Sequence, residues 1–366
     1  MPRLRIAQIT FHRALNCGAV LQAWALQTVL ERMGHEVFQP DCNSVGCYQG
    51  HFPRTMLHDR SIPGLVRHFT WWIGAGLLSF GFDELKVCRF EQFSRKWLHR
   101  LKCDKDEVGA KSDLAVFGSD QIWNERLTLD ESDYFFGRPF PANLPRLAYG
   151  VSLGDGEVDV GRIKERAKGF FAVSARERSE ISEAQVLDPT LLLEPGDYGR
   201  IAYPKRLERS PYCLLFNLSG DDMIRRKSHA LASSLGLKCV EVNMSQRGLW
   251  RYARGMRHAV SPDRFLAYVR DAECVVTNSF HGTTFSLIYN KPFLSFVPAR
   301  TTGRIVALLG MVGLKNRVVS GAEDIEVLAD AMKRALPKEF LSCLAKKRAF
   351  SLKWLKDALE EGVNCA

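Results

Sequence analysis

One stretch of the chain, residues 273–296 (ECVVTNSFHGTTFSLIYNKPFLSF), gathers residue types that move protons and bind oxyanions. Cys274-Val275-Val276 reads as a short buried strand. A polar knot follows it: Thr277, Asn278, Ser279, Phe280, His281, Gly282, Thr283, Thr284. Phe285 to Tyr289 is a helical turn or two, stopped at Asn290-Lys291-Pro292, and Phe293 to Phe296 begins a second strand. Histidine gives and takes a proton near neutral pH, so His281 is the residue of this stretch suited to acid–base work. Gly282 allows close approach of the backbone, while Thr283 and Thr284 can cap the following helix and donate to an oxyanion. Ligands of α/β sheets bind beyond the carboxyl ends of strands, where loops meet helix N-termini. This knot is therefore the expected active-site loop.

The same pattern of strand and polar end recurs at 10–18, 118–124, 152–154, 174–178 and 188–190. These ends carry His12, Asn16, Gly18, Asp120, Arg176 and Asp188. The Asn16-Cys17-Gly18 turn offers backbone N–H groups at a helix N-terminus, a natural anion or sugar-hydroxyl site. It is not a GxGxxG fingerprint, so a dinucleotide is not expected. Ordinary structural explanations compete with each role. Asp188-Pro189-Thr190 is a good turn or helix start. Arg176 has Glu177 beside it for an ion pair, His12 suits a solvated loop, and His281 suits a core histidine holding its loop.

The elements that must position these ends alternate strand and helix. Leu4–Thr10 is a strand, and GAVLQAWALQTVLERMG from Gly18 to Gly34 is an amphipathic helix for a sheet face. A strand starts at Glu36. Val87–Leu101 reads as a helix; Asp113–Phe117, Leu147–Val151, Phe170–Ala175 and a short run at Val186–Thr190 read as strands. Residues 194–211, with Glu194-Pro195-Gly196, Tyr203-Pro204 and Ser210-Pro211, read as a linker. Beyond it come a strand at Tyr212–Leu218, a helix near Arg225–Leu235, a strand at Lys238–Val242 and a helix at Pro262–Arg270. A helix at Thr302–Met311 and a mostly helical stretch from Ala322 to Cys365 complete the chain. The expected architecture is two doubly wound α/β domains facing a cleft. Residues 1–200 form the first and 211–335 the second. Residues 336–366 form a helical tail that packs back on the first domain.

The chain has 366 residues, 46% hydrophobic and 25% charged, the composition of a folded soluble protein. MPRLRIAQIT runs directly into a strand, so no signal peptide is expected. Ten scattered cysteines without a CxxC pair suit reduced thiols in a cytoplasmic protein and no zinc site. The net charge of +10 suits either a solvated basic surface or an anion-handling protein. Between Met223 and His258 lie Arg225, Arg226, Lys227, Lys238, Arg247, Arg251, Arg254 and Arg257 against one acid, Glu241. No nucleic-acid motif accompanies them, so no nucleic-acid partner is expected. Residues 62–82 contain an uncharged apolar run, Phe69–Phe82, too short for a bilayer span of about 20 residues. A buried helical hairpin accounts for it. The sharper alternative is a peripheral contact with the inner face of a membrane, with Arg54, Arg60, Arg67 and His68 beside it.

Six of the motifs come in an order that resembles the polysaccharide pyruvyl transferase family. They are Asn16-Cys17-Gly18-Ala19-Val20-Leu21-Gln22-Ala23-Trp24-Ala25-Leu26-Gln27, Gly118-Ser119-Asp120-Gln121-Ile122-Trp123-Asn124, Ser174-Ala175-Arg176-Glu177, Leu187-Asp188-Pro189-Thr190, Thr277-Asn278-Ser279-Phe280-His281-Gly282, and Arg304 with Leu308-Leu309 and Gly313-Leu314 after it. The resemblance covers about residues 4 to 316. It implies a GT-B-like fold and transfer of the pyruvyl group of phosphoenolpyruvate to two hydroxyls of a sugar. The product would be a cyclic pyruvate ketal on a polysaccharide or lipid-linked glycan precursor. In one respect the chain departs from the pattern: some members carry Arg two residues before the motif His, where this chain has Ser279.

A carboxylate and a phosphate on the donor call for arginine and helix N-termini. On that reading His281 and Asp120 are catalytic. Arg176, Ser279, Gly282, Thr283 and Arg304 form the donor side, and His12, Asn16, Gly18 and Asp188 the acceptor side. Either aspartate, or His12, would take a proton from a sugar hydroxyl or bind it. No step demands a metal or a cofactor. A nucleotide-sugar glycosyltransferase on the same plan and a non-catalytic glycan- or membrane-binding protein are the alternatives. The first lacks a clear acidic ribose clamp in the second domain.

Overall fold

The computed structural model describes residues 2–42, 82–154, 158–177, 179–182, 184–243, 256–297 and 303–365. The run at 62–81 and the stretch 244–255, with Arg247, Arg251 and Arg254, lie outside them. No helix among the described residues is long and apolar enough to cross a membrane.

The first sheet is built from β1 (Arg5–Ile9), β2 (Glu36–Pro40), β3 (Arg100–Leu101), β4 (Leu114–Phe117), β5 (Arg146–Val151) and β6 (Ala172–Ala175). All its pairings are parallel, in the order β3-β2-β1-β4-β5-β6. The second has β7 (Tyr212–Asn217), β8 (Lys238–Asn243), β9 (Cys274–Thr277), β10 (Phe293–Phe296) and β11 (Val318–Val319), parallel in the order β11-β10-β9-β7-β8. The inner strands β4, β7 and β9 are buried throughout, as parallel strands covered on both faces must be. In each sheet the winding reverses once, between β1 and β4 and between β7 and β9. Crevices open at such reversals. Two doubly wound domains facing a cleft, the expected GT-B-like plan, are what the chain forms.

The helices are α1 (Cys17–Arg32), α2 (Phe82–Trp97), α3 (Val160–Ala167), α4 (Pro195–Gly199), α5 (Asp222–Ser234), α6 (Pro262–Asp271), α7 (Phe280–Ile288), α8 (Arg304–Met311), α9 (Ile325–Lys333) and α10 (Glu339–Cys365), with shorter turns between them. Asn16 starts α1 by accepting from Gly18 N (2.9 Å) and Ala19 N (3.4 Å). Gly34, at φ +96°, lets the chain leave it for β2. The helix expected to be amphipathic and packed on a sheet, α1, is buried on nearly all sides. The sheet covers one face, and α6 with the Pro189–Leu192 turn covers the other. Its buried amides are absorbed internally: Gln39 Nε2 donates to both Gln8 Oε1 and Gln27 Oε1 at 3.0 Å.

Three expected boundaries shift for physical reasons. The helix expected over Val87–Leu101 ends at Trp97, because Arg100–Leu101 pairs with β2 as an edge strand. The strand expected at Val186–Thr190 is a 3-10 turn, Pro189–Leu192, since Pro189 has no N–H to give a ladder. The linker expected at 194–211 contains α4, whose buried Tyr198 packs between Trp24 (5.5 Å) and Phe285 (5.0 Å) of the two domains. The final helix, α10, crosses back to the first domain. There Ser351 Oγ accepts from Leu187 N (2.9 Å) and Arg348 Nε donates to Leu191 O (2.8 Å).

Candidate functional site

The second sheet presents His281 in the first turn of α7. Ser279 is the N-cap, its Oγ accepting from Gly282 N (3.3 Å). Thr277 Oγ1 donates to Phe216 O (2.8 Å) and accepts from Ser279 N (3.0 Å), which ties the start of α7 to β7 and β9. Gly282 is required there: a Cβ on it would lie 2.2 Å from Thr277 Oγ1. The His281 ring then meets the first domain. Its Nδ1 faces Gly18, where an added Cβ would stand 2.1 Å away. Its Nε2 is buried without a hydrogen-bond partner, 3.6 Å from Asp188 Oδ2. That is an ion-pair distance, too long for a hydrogen bond.

Arg176, at the end of β6, is 2% exposed at its side chain. It donates from Nη1 to Asp188 Oδ2 (2.6 Å) and from Nη2 to Asp120 Oδ1 (3.1 Å). Burial alone would weaken its hold on its proton, but Asp120 and Asp188 more than reverse this and keep it charged. Asp188 is fully covered. Burial would raise its pKa, yet His281, Arg176 and Thr190 outweigh that and hold it well below the carboxylate range. Its Oδ1 accepts from Thr190 N (2.9 Å) and Thr190 Oγ1 (2.6 Å). Both oxygens are thus occupied by protein, and the structure gives Asp188 no surface for a sugar. It orients Arg176 and His281 instead. Asp120 keeps 11% of its side chain exposed and adopts φ +74°, which Asp tolerates better than most residues.

Phe280 brings a second guanidinium to the same place. Arg176 Cζ is 4.8 Å from its ring centroid, and Arg304 Cζ, at the start of α8, is 5.7 Å from it. With its amide turned to suit its neighbours, Gln121 of the first domain accepts from Arg304 Nη1 and Nη2 at 3.1 Å. Glu177 is a cleft residue the sequence reading did not select. It accepts from Ser152 Oγ (3.0 Å), and burial raises its pKa against the pull of Arg176 and Arg304. The available signal was an acid directly after a strand-end arginine.

Other expected site residues are committed elsewhere. The Asn16 side-chain oxygen caps α1, and Gly18 is packed on His281. Thr283 is turned inward, its Oγ1 donating to Ser279 O (3.0 Å) and meeting Ser295 Oγ (2.8 Å). His12 is 1% exposed rather than a solvated loop residue. Its Nδ1–H donates to Thr10 O (3.1 Å), and burial pushes its pKa down to about 4, opposed by Asp41 and reinforced by Arg100 and Arg13. It belongs with the Arg13–Asp41 (2.5 Å) and Arg100–Asp41 (2.6 Å) ion pairs. In the basic stretch, Arg225 is paired with Glu241 (2.9 Å), and Arg257 (2.5 Å) and Lys238 (3.0 Å) with Glu208. Among the described residues no group of three or more His, Cys, Asp or Glu is placed to hold a metal ion.

The site therefore sets one histidine and two arginines from both domains around Phe280 and the N-terminus of α1. Such a set can bind a small dianion and deliver a proton to it. Among solved structures, the chain is similar to S. aureus MnaA in complex with UDP (10% identity, TM-score 0.49, covering 99% of this chain and 97% of that one). It is also similar to the spinosyn rhamnosyltransferase SpnG complexed with thymidine diphosphate (11%, TM-score 0.43, 97% and 99%) and to Acinetobacter baumannii MurG (10%, TM-score 0.41, 98% and 100%). No curated protein matches it. The polysaccharide pyruvyl transferase family model matches residues 16–299, from the α1 cap through β10, a span that takes in His281, Arg176, Asp188 and Asp120. On that match the chain belongs to the polysaccharide pyruvyl transferase family.

Proposed function

We propose that the protein is a ketal pyruvyltransferase. It would move the pyruvyl group of phosphoenolpyruvate onto two hydroxyls of one sugar in a polysaccharide or lipid-linked glycan precursor. The observation that carries this reading is the buried His281 Nε2, with no hydrogen-bond partner, beside the Asp188–Arg176 pair and close to Phe280 and Arg304. Arg304 would take one oxyanion of the donor, and Arg176 the other once that oxyanion displaces the longer Asp120 contact. His281 would protonate the methylene carbon, leaving an oxocarbenium-like centre at C2. The first sugar hydroxyl attacks C2 and gives up its proton, which restores the acid. The C–O bond to phosphate then breaks. The second hydroxyl closes the ring, and its proton leaves with the phosphate. One methyl group, one ketal and one phosphate result.

Because Nε2 is covered, the donor reaches it only if the two domains part along the Gly18–His281 contact. The test is incubation with phosphoenolpyruvate and a panel of glycans, followed by mass spectrometry and a phosphate assay. A mass gain of one pyruvate less water, with equimolar phosphate, is expected. Thermal stabilisation by a nucleotide sugar, with phosphoenolpyruvate silent, would instead assign a glycosyltransferase. Glycan binding with no turnover of any donor would leave a non-catalytic binding protein.

A further inference from the structure

A second groove, of about 500 Å³, opens on the flank of the domain interface. The first turn of α1 separates it from His281. Cys17 Sγ meets Val260 O (3.6 Å), one residue before the groove-lining Ser261, while Gly18 faces the imidazole. Both domains contribute walls: α2 supplies Arg89, Lys96 and Trp97, the segment after α4 supplies Arg200 and Tyr203, and α6 supplies Arg264.

Among the described residues that line it, this groove carries more positive than negative charge. Its one carboxylate, Asp263, accepts from Ser261 Oγ (2.5 Å). Among the described residues, no ion pair joins Arg89, Lys96, Arg200 or Arg264 to an acid. Arg89 donates instead to Ala259 O (2.8 Å), and its pKa is lowered by burial and by the like charge of Arg264, against the pull of Asp263. Arg264 lies over the Tyr203 ring (4.4 Å) and Lys96 over Trp97 (4.9 Å). Several arginines elsewhere are neutralised, as Arg13 and Arg100 are by Asp41 and Arg225 by Glu241. A concave wall of one sign focuses potential and attracts a counter-ion.

We propose that this groove is a second binding site, for an anionic unit of the glycan chain, one that carries a carboxylate or a phosphate. The volume suits one or two sugar rings, not a nucleic-acid duplex, and a concave cleft does not fit a flat lipid surface. Arginines that lack an acid partner match either oxyanion in bidentate geometry. The inference rests on the pyruvyl-transfer reading, in which every turnover leaves one carboxylate on the glycan. Units already modified would be held beside the site while the next unit reacts.

Calorimetric titration tests this without turnover. Tetragalacturonate is the anionic probe and maltotetraose the neutral one. The native protein should bind the first and not the second, more weakly as salt rises. Lys96→Ala and Arg200→Ala alter exposed side chains and should leave the fold intact. Together they should weaken tetragalacturonate binding about tenfold, and Arg264→Gln should weaken it at least as much, about 1.4 kcal/mol. Thermal stabilisation by phosphoenolpyruvate should be the same in all these variants. Competition by inorganic phosphate separates a phosphate preference from a carboxylate one. The proposal is overturned if tetragalacturonate does not bind or if the variants bind it as the native protein does. Binding of anionic vesicles or duplex DNA through these residues, with tetragalacturonate silent, would also overturn it. A protein that binds tetragalacturonate here yet never consumes phosphoenolpyruvate would sink the transfer reading alone.

Discussion

Gly18 and His281 meet across the domain interface so closely that a Cβ on Gly18 would stand 2.1 Å from the imidazole Nδ1. This contact joins the first turn of α1 to the first turn of α7. Gly18→Ala should therefore displace His281, although Ala favours the helix itself by about 1 kcal/mol. A displacement near 1 Å costs about 10²-fold in rate. Phosphoenolpyruvate-dependent phosphate release should fall by that order, with a stability loss of about 1–3 kcal/mol from overpacking. Full activity in the variant would show that the contact does not set the position of His281.

Asp188 holds Arg176 at 2.6 Å and His281 at 3.6 Å on one oxygen. Asp188→Asn leaves a buried guanidinium with Asp120 as its remaining acid. Removing one member of a buried pair typically costs about 3–5 kcal/mol. The folded-state pKa of Asp188 is depressed, so its contribution is complete above the unfolded value, about 3.9, and is lost as pH falls through the folded one. The gap between native and variant protein in urea denaturation should therefore be widest at pH 7 and narrow below about pH 4. Equal midpoints at pH 7 would remove Asp188 from its positioning role.

Ser279 and Arg304 were both assigned to the donor side, and the structure separates them. Ser279 caps α7, so Ser279→Ala should cost about 1 kcal/mol of stability and leave the KM for phosphoenolpyruvate nearly unchanged. Arg304 lies partly exposed at the start of α8, near the Phe280 ring. Arg304→Ala should raise that KM about tenfold or more, the loss of a charge-assisted contact of about 1.5–3 kcal/mol, with little change in Tm. If the two variants exchange these signatures, the donor charge is held at position 279 by other means.

Much of this site could be seen in the sequence because strand ends announce themselves. An apolar run followed by a polar knot located His281 and Asp120 at the sheet reversals and Arg176 at the end of the edge strand β6, and the helix pattern of α1 placed its N-terminus among them. What stayed hidden depends on contacts between distant segments. Nothing local says that Asp188 lies under Arg176 and His281, since Asp-Pro-Thr also starts a turn, and here it does both. Thr283 is turned inward for a nearer reason: as the fourth residue of α7 it faces β10, where its hydroxyl meets Ser295 Oγ. The burial of α1 on its second face, by α6 and the 189–192 turn, needs a partner surface that local periodicity cannot name.

His12 provides a stability test independent of catalysis. Its folded-state pKa is about 4, against about 6.5 when unfolded, because burial disfavours the charged ring and Arg100 and Arg13 add to that against Asp41. The unfolded chain therefore binds the proton first. Stability is unaffected above about pH 6.5, declines as pH falls toward 4, and levels off below it, a loss of about 3 kcal/mol in all. His12→Gln keeps a donor for Thr10 O but does not titrate. Comparing the two proteins cancels the shared titrations of His35 and Glu177, and the Asp41 carboxylate, held low mainly by Arg100, titrates only below this window. Urea midpoints between pH 7 and 4 should fall more steeply for the native protein, by about 3 kcal/mol across the window. Transfer activity at pH 7 should stay within a few-fold of native, because a ring 1% exposed cannot take a proton from a sugar hydroxyl. Parallel stability curves would mean that His12 titrates normally in the fold. An inactive, well-folded His12→Gln would restore it to the acceptor side.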